Sequence, residues 1–307
     1  MLITIGRWAT SRGLYRINES NMNSHPPVKL HYTSAYQFYR FGEAKTPEVR
    51  AKFLQMYRKI IEERLPSDLD VTISDIQFKT DDRVYIELQG KRKSDVQFTM
   101  SILKELTGQT FESHNVPKRA PTMGYMRKVG KVGFGLFVDI GVENPYKEAL
   151  IPLHTLRRQL TNEEKIPLSE IIKKYGFMDN LPIQVEITEI ADPHSRTPKY
   201  EAKIHEDYLK RMAEWVDWGL DIIFTVGEAR QMVKRTIAKR GHTIDVQEIQ
   251  RLGPLETAVI CNQGTTGPGI IAHIGKYLSH CRMSTMRTML LTPYWQAKTE
   301  AAKEEKK

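Results

Sequence analysis

The sequence predicts an α+β chain of three modules, in which a small, strongly bent β-barrel separates two small α/β sandwiches. Three observations carry that expectation. Between Gly124 and about Glu206, short strand-like runs are broken by glycines, which permit the curvature that closes a small barrel. On either side, residues 29–108 and 207–291 each contain the order strand, helix, strand, strand, helix. Residues 112–122, ESHNVPKRAPT, hold two prolines and no periodicity, as a linker would. The expected modules are 1–117, 118–206 and 207–291. A charged tail, 292–307, ends in AAKEEKK and is expected to fray.

In the first module, residues 46–65 open with Thr46 as a helix cap and Pro47 in the first turn. Val49, Phe53, Met56, Ile60 and Ile61 then recur along one stripe, the mark of an amphipathic helix. VTISDIQF (71–78) and RVYIELQG (83–90) alternate with period two on either side of Lys79–Asp82, a hairpin signal. The next helix opens with a capping box, Ser94 and Gln97, and stops at Gly108. In the middle module VGKVGFGLFVDIG (129–141), EALIPLHTL (148–156) and 181–204 read as strand pieces. An inserted segment, TNEEKIPLSEIIKKYG (161–176), reads as a short helix capped by Ser169 and ended by Gly176. The third module begins with a helix rich in Tyr and Trp, YLKRMAEWVDWG. It continues with DIIFTV, a helix over 228–240, the strands DVQEI and ETAVIC, and a helix over 270–280. The first 18 residues, with Arg7, Arg12, Arg16 and no acid, fit either an organelle transit peptide or a short strand with a polar loop.

Composition narrows the function classes. Of 307 residues, 40% are hydrophobic and 27% charged, as in a folded globular chain. No apolar run approaches the ~20 residues that cross a bilayer, so no membrane partner is expected. Two cysteines, Cys261 and Cys281, cannot build a disulfide framework or a four-thiolate metal site, and the expected location is cytoplasmic. Basic side chains number 46 against 37 acidic, a net charge of +9 spread over all three modules. An excess of that size fits a polyanionic partner, and it equally fits a basic surface that serves solubility.

The strand FGLFVDIG carries the candidate site. Alternation puts Leu136, Val138 and Ile140 on one face and Phe137 with Asp139 on the other. If the aliphatic face fills the barrel, Phe137 stands outside beside an acid, and Phe134, between Gly133 and Gly135, turns to the same side through a bulge. Two outward aromatics on a small barrel form a platform for unpaired bases. The alternative is that both rings pack beneath a neighbouring module.

VGKVGFGLFVDIG followed by EALIPLHTL resembles the S1 domain, an RNA-binding OB fold. The resemblance implies an α+β, multi-domain chain with a central S1-like OB-fold barrel flanked by two small α/β domains. It also implies that Phe134, Phe137, Asp192 and Arg196 (the last two in ADPHSR) line the nucleic-acid face. The histidine of that family falls here at Pro152, with His154 two residues on. Over nearly the whole chain, the segments DIGV…IPLHTLRRQL, KKYGFMDNLPIQVEI and DVQEIQRLGPLETAVICNQGTTGPGIIAHIGKYL resemble an archaeal family, domain of unknown function 2110. That likeness implies an archaeal cytosolic protein and brings no activity with it.

Other motifs are weaker. GTTGPG (Gly264, Thr265, Thr266, Gly267, Pro268, Gly269) follows a strand and precedes a helix, where backbone N–H groups could hold a phosphate. A Walker A loop would continue with Lys and Ser/Thr, but Ile270 and Ile271 follow, so nucleotide hydrolysis is not expected. The segment EARQMVKRTIAKR (228–240) places Ala229, Met232, Val233 and Ile237 on one face, with Arg230, Lys234, Arg235, Lys239 and Arg240 around the rest. The nine histidines form no paired metal-ligand motif, and no nucleophile elbow or Cys-His signature is present, so no metal, cofactor or catalytic residue is expected. The expectation is a non-catalytic protein that binds RNA or a ribonucleoprotein such as ribosome or RNA polymerase. Phe134, Phe137 and Arg196 would touch bases or phosphates, Asp192 would accept from a ribose or base edge, and Lys128, Lys131, Arg157 and Arg158 would supply backbone contacts. Two alternatives stay open: a protein-interaction scaffold in translation or transcription machinery, and a nucleotide- or RNA-processing enzyme using the Gly264–Gly269 loop.

Overall fold

The computed structural model describes residues 26–38, 46–192, 195 and 197–296. The arginine-bearing first 18 residues, Arg196 and most of the charged tail lie outside them. The chain is a mixed α+β fold with a closed five-stranded barrel at its centre.

The N-terminal unit contains β1 (Val28–Gln37), α1 (Pro47–Glu62), β2 (Val71–Phe78), β3 (Arg83–Gly90) and α2 (Lys93–Thr107). Its strands form an antiparallel sheet in the order β1-β3-β2. Thr46 caps α1 by accepting from the Val49 N–H at 3.4 Å, and the helix buries Phe53, Tyr57, Ile60 and Ile61. Tyr57, absent from the expected stripe, fills the turn between Phe53 and Ile61 at i+4 spacing, while Val49 and Met56 are only half-buried. The expected capping box does not form. Helix α2 is capped at Arg92 without a side-chain bond, and the Ser94 hydroxyl donates to Asp95 instead. Gly108 ends the helix at φ +68.

The expected linker over 112–122 is shorter than its prolines suggest. It is flanked by a two-residue strand, β4 (Phe111–Glu112), and by β5 (Pro121–Arg127), because Pro121 opens a strand, a position that asks no ladder N–H of it. The barrel is built from β5, β6 (Gly135–Glu143), β7 (Lys147–Pro152), β8 (Pro182–Ala191) and β9 (Lys199–Ile204). It closes in the order β5-β6-β7-β9-β8 and back to β5. Only the β7–β9 pair is parallel; the other four barrel pairings are antiparallel. The sequence EALIPLHTL is not strand throughout. β7 stops at Pro152, and α3 (Leu153–Leu160) begins at once, burying Leu156 and Leu160. A second helix, α4 (Leu168–Tyr175), has Pro167 rather than Ser169 at its cap and ends at Gly176 in the left-handed conformation. As alternation requires, Leu136, Val138 and Ile140 are buried in the barrel core, with Ile151, Ile183 and Val185.

The C-terminal part comprises α5 (Glu206–Trp218), β10 (Ile222–Val226), α6 (Arg230–Lys239), β11 (Val246–Arg251), β12 (Glu256–Cys261), α7 (Gly267–Ile274) and β13 (Arg282–Met286). The sheet order is β11-β12-β10-β13, all antiparallel. Helix α7 starts and stops earlier than the expected 270–280 because Pro268 sits in its first turn. Met232, expected on the apolar face of α6, is exposed. Both faces of the sheet are covered. Ile222, Phe224 and Val226 share a core with the barrel, while Ile223, Val259 and Cys261 pack beneath α6 and α7. The tail does not fray at its beginning: Trp295 is buried and donates to the Tyr175 hydroxyl at 3.1 Å. No helix among the described residues is long and apolar enough to cross a membrane.

Three buried ionisable side chains join the units: Arg83 with Asp139, and Glu256. Arg83, fully buried at the start of β3, donates to Asp139 of β6 at 3.0 Å and to the Val142 carbonyl at 3.3 Å. Asp139 also accepts from the Gly141 N–H at 2.9 Å. Burial raises the Asp139 pKa, and Arg83 and the Gly141 N–H pull it back. Glu256, at the start of β12, is fully buried beside Tyr36, Tyr57 and Tyr125 of the other units, and its carboxyl is pushed up to about 8 by burial. The Leu255 N–H and the nearby Tyr36 and Arg251 side chains oppose that shift without cancelling it.

Two outcomes follow. Asp139→Ala leaves the Arg83 guanidinium buried with fewer partners, so chemical denaturation is expected to show a loss of about 3 kcal/mol. Glu256 holds its proton more tightly folded than unfolded, so its contribution to stability falls as pH rises from the ordinary carboxylate value of ~4.3 to about 8 and is level beyond. Glu256→Gln is therefore expected to raise Tm relative to the parent at pH 8 and to lose that advantage near pH 4. A Tm difference that does not vary with pH would contradict this.

Candidate nucleic-acid interface

The strand-to-strand loop 128–134 sets the position of the phenylalanine pair. Its turn is closed by the Lys131 N–H donating to the Lys128 carbonyl at 3.0 Å, and its far side is held by the Val129 N–H on Asp179 at 2.7 Å. Gly135 lies so close to β7 that a Cβ there would strike the Ile151 carbonyl, so the F-G-x-F spacing reflects contact between strands. The Leu153 N–H then donates to the Phe134 carbonyl at 2.8 Å, fixing that residue at the rim where β7 turns into α3.

Phe134 is 57% exposed and Phe137 half-buried. Their ring centroids are 5.9 Å apart at 88°, an edge-to-face pair. Register places Arg127 and Leu150 on either side of Phe137. The Lys128 ammonium lies 5.7 Å from the Phe137 ring centroid. The face is not uniformly basic. Glu148, itself nearly buried, takes Lys128 at 3.1 Å and Arg127 at 3.9 Å, and accepts from the Tyr146 hydroxyl at 3.0 Å. Arg127 also donates to the Asn180 side chain at 2.6 Å.

The remaining expected residues are scattered around this core. Lys131 and Arg158 are exposed, and Arg157 is partly committed to the Ile166 carbonyl at 2.9 Å. Asp192 is exposed in the loop after the last β8–β9 register pair, Ala191–Lys199, whereas Phe137 aligns through Leu150 with Glu201 further along β9. Asp139 shares the Phe137 side of β6, as alternation predicts, but it is buried beneath the N-terminal unit. His154 is exposed on α3. Arg127, Tyr146 and Glu148 were absent from the expected face. Their signal is alternation: Tyr146 and Glu148 are two apart entering β7, and Arg127 is the register partner of Phe137.

The GTTGPG loop holds carboxylates where a phosphate would go. The Gly267 N–H at the start of α7 donates to Asp221 at 2.9 Å, and Asp245 accepts from the Thr265 hydroxyl at 3.5 Å. Gly264 takes φ +81, and a Cβ on Gly269 would meet the Thr266 hydroxyl. A bound phosphate would meet two negative neighbours there. Among the described residues, no group of three or more His, Cys, Asp or Glu side chains is placed to hold a metal ion.

Comparison with known families finds the DUF2110 central domain over residues 120–216 and the DUF2110 C-terminal domain over residues 220–285. No curated protein and no solved structure matches the chain. The first match covers the barrel with its two helices and α5, and the second covers the sheet β11-β12-β10-β13 with α6 and α7. Together they span more than half of the sequence, and the chain belongs to the DUF2110 family.

Proposed function

We propose that this protein binds single-stranded RNA, free or within a ribonucleoprotein, without catalysis, through the Phe134–Phe137 face of an S1-like OB barrel. The observation that carries the reading is an exposed phenylalanine, Phe134, edge-on to a second ring that has a lysine beside it. Leaving such a ring in water forgoes the stabilisation its burial would bring, and a stacked base restores that apolar contact. A closed barrel with helices between its third and fourth strands is compatible with an OB-like fold. Lys128 beside Phe137, with the exposed Lys131 and Arg158, would follow the phosphate backbone. Asp192 and Arg196 would extend the path along the β8–β9 loop.

A protein partner is the second reading, favoured by Glu148, which neutralises two cations within the face, and by Pro152 in the place of the S1 histidine. Titration of a labelled oligouridylate against salt separates the two. RNA binding is expected to weaken steeply with salt, with a log–log slope of about −0.7 per phosphate contacted. Phe134→Ala is expected to weaken binding by roughly 5- to 100-fold, the loss of one stacked base, with Tm nearly unchanged because the ring is exposed. No binding at low salt, or indifference to Phe134→Ala, would overturn the proposal and favour the protein partner.

A further inference from the structure

At the opposite end of β5 from Arg127, a cleft of about 460 Å³ opens where the N-terminal unit, the barrel and the C-terminal sheet meet. A second cavity of about 530 Å³ shares Arg64, Arg211 and Arg251 with it and adds Arg230. The shared arginines come from distant segments: Arg64 follows α1, Arg211 lies on α5 and Arg251 ends β11. Lys104 of α2 adds a fourth cation to the first cleft, against one carboxylate, Glu105. In the second cavity the carboxylates are Glu63 and Glu248, and Glu248 already accepts from Gln250 at 3.0 Å.

Among the arginines lining these cavities, Arg251 is left incomplete. The Nη1 of Arg251 is shielded from solvent and has no hydrogen-bond partner among the described residues. Folded proteins seldom leave a charged donor in that state, because an unmade bond to it carries its whole desolvation cost. Burial first, then the Arg64 and Arg230 charges, lower the Arg251 pKa from its ordinary value. An anion between these guanidinium groups would relieve both the missing bond and the mutual repulsion. Arginine forks match phosphate oxygens in pairs. The apolar part of the first cleft's lining includes Pro121, Met123, Pro182, Tyr208 and Leu252, and the cleft's volume falls within the range of small-molecule sites and is far larger than a bare phosphate needs.

The geometry points to this junction as a nucleotide site, in which Arg251, Arg64 and Arg211 hold a phosphoryl group while the nucleoside lies along the Tyr208–Leu252 wall. The same chemistry is offered by a free mononucleotide and by the phosphorylated end of an RNA. The site stands independently of the phenylalanine face.

Calorimetry and thermal shift on the full chain test it, with AMP, GMP, CMP and UMP, their nucleosides, inorganic phosphate, and hexaribonucleotides carrying a 5′-phosphate or a 5′-hydroxyl. At least one mononucleotide or the 5′-phosphorylated hexamer is expected to bind and raise Tm, and whichever binds more tightly identifies the source. The matching nucleoside should not bind, and the hexamers, compared in Phe134→Ala protein so that the phenylalanine face does not contribute, should bind only when 5′-phosphorylated. Arg251→Met is expected to weaken binding by about tenfold or more, the worth of a hydrogen bond from a charged donor. Arg211→Ala, at an exposed position where folding is retained, should weaken it several-fold, and it serves alone should Arg251→Met fail to fold. Mononucleotide binding should not depend on the phenylalanine face, so the two proposals fail separately. The inference is overturned by no binding of any phosphorylated probe, by binding that survives both arginine substitutions, or by inorganic phosphate binding as tightly as the nucleotides.

Discussion

The Arg83 guanidinium and the Asp139 carboxylate meet at 3.0 Å, both shielded from solvent, and this contact ties β3 of the N-terminal unit to β6 of the barrel. Taking two charges out of water costs several kcal/mol per ion, so the pair is poor evidence for net stability and good evidence for a defined geometry. Its surroundings add to it: Asp81 and the Val142 carbonyl take Arg83 Nη1, and the Gly141 N–H serves Asp139. Because side chains alternate along β6, Asp139 shares its face with Phe137. The N-terminal unit covers that face from Asp139 onward and stops short of Phe137, so the joint also sets how much of the aromatic surface stays open.

The other joint is of a different kind. Tyr208, Met212, Trp215 and Val216 of α5 lie in one continuous core with the barrel and with the Ile222, Phe224 and Val226 face of the C-terminal sheet. Apolar burial is non-directional and scales with area, so this contact holds the two parts together without demanding a particular pair. A directional joint on one side and a broad apolar one on the other leave the three units meeting imperfectly along a line. Polar groups collect there: Glu256 with its raised pKa, and the arginines of the cleft.

What was legible in the sequence was what local physics determines. Thr46 and Pro47 start α1, Gly108 and Gly176 end helices, and alternation sends Leu136, Val138 and Ile140 inward. The closed barrel was legible from its glycines, and Gly135 shows why, since only a residue without a side chain fits against the Ile151 carbonyl. The misses share one cause. Asp139 looked exposed because its partner is 56 residues away, and Trp295 looked like a frayed tail because Tyr175 is 120 residues away. A capping box at Ser94 was a sound local pattern that the Asp95 carboxylate, closer to hand, overrode. Strand β13 and the start of α3 were missed because short polar or proline-bounded runs carry little periodicity.

The net charge of +9 takes on meaning once positions are known. At the phenylalanine face, Glu148 pairs with Lys128 and Arg127, so attraction of a ligand there would rest more on stacking than on charge, and an anion reaching those two cations would compete with Glu148. At the junction the balance reverses: four cations face one carboxylate in the first cleft, and an Arg251 donor has no partner among the described residues. Charge that is already paired gives a surface its solubility. Charge that is crowded against like charge in a half-closed space is destabilising to the free protein, and an anion arriving from outside would offset it. The same basic excess thus divides into a paired fraction around the barrel rim and a strained fraction between the units.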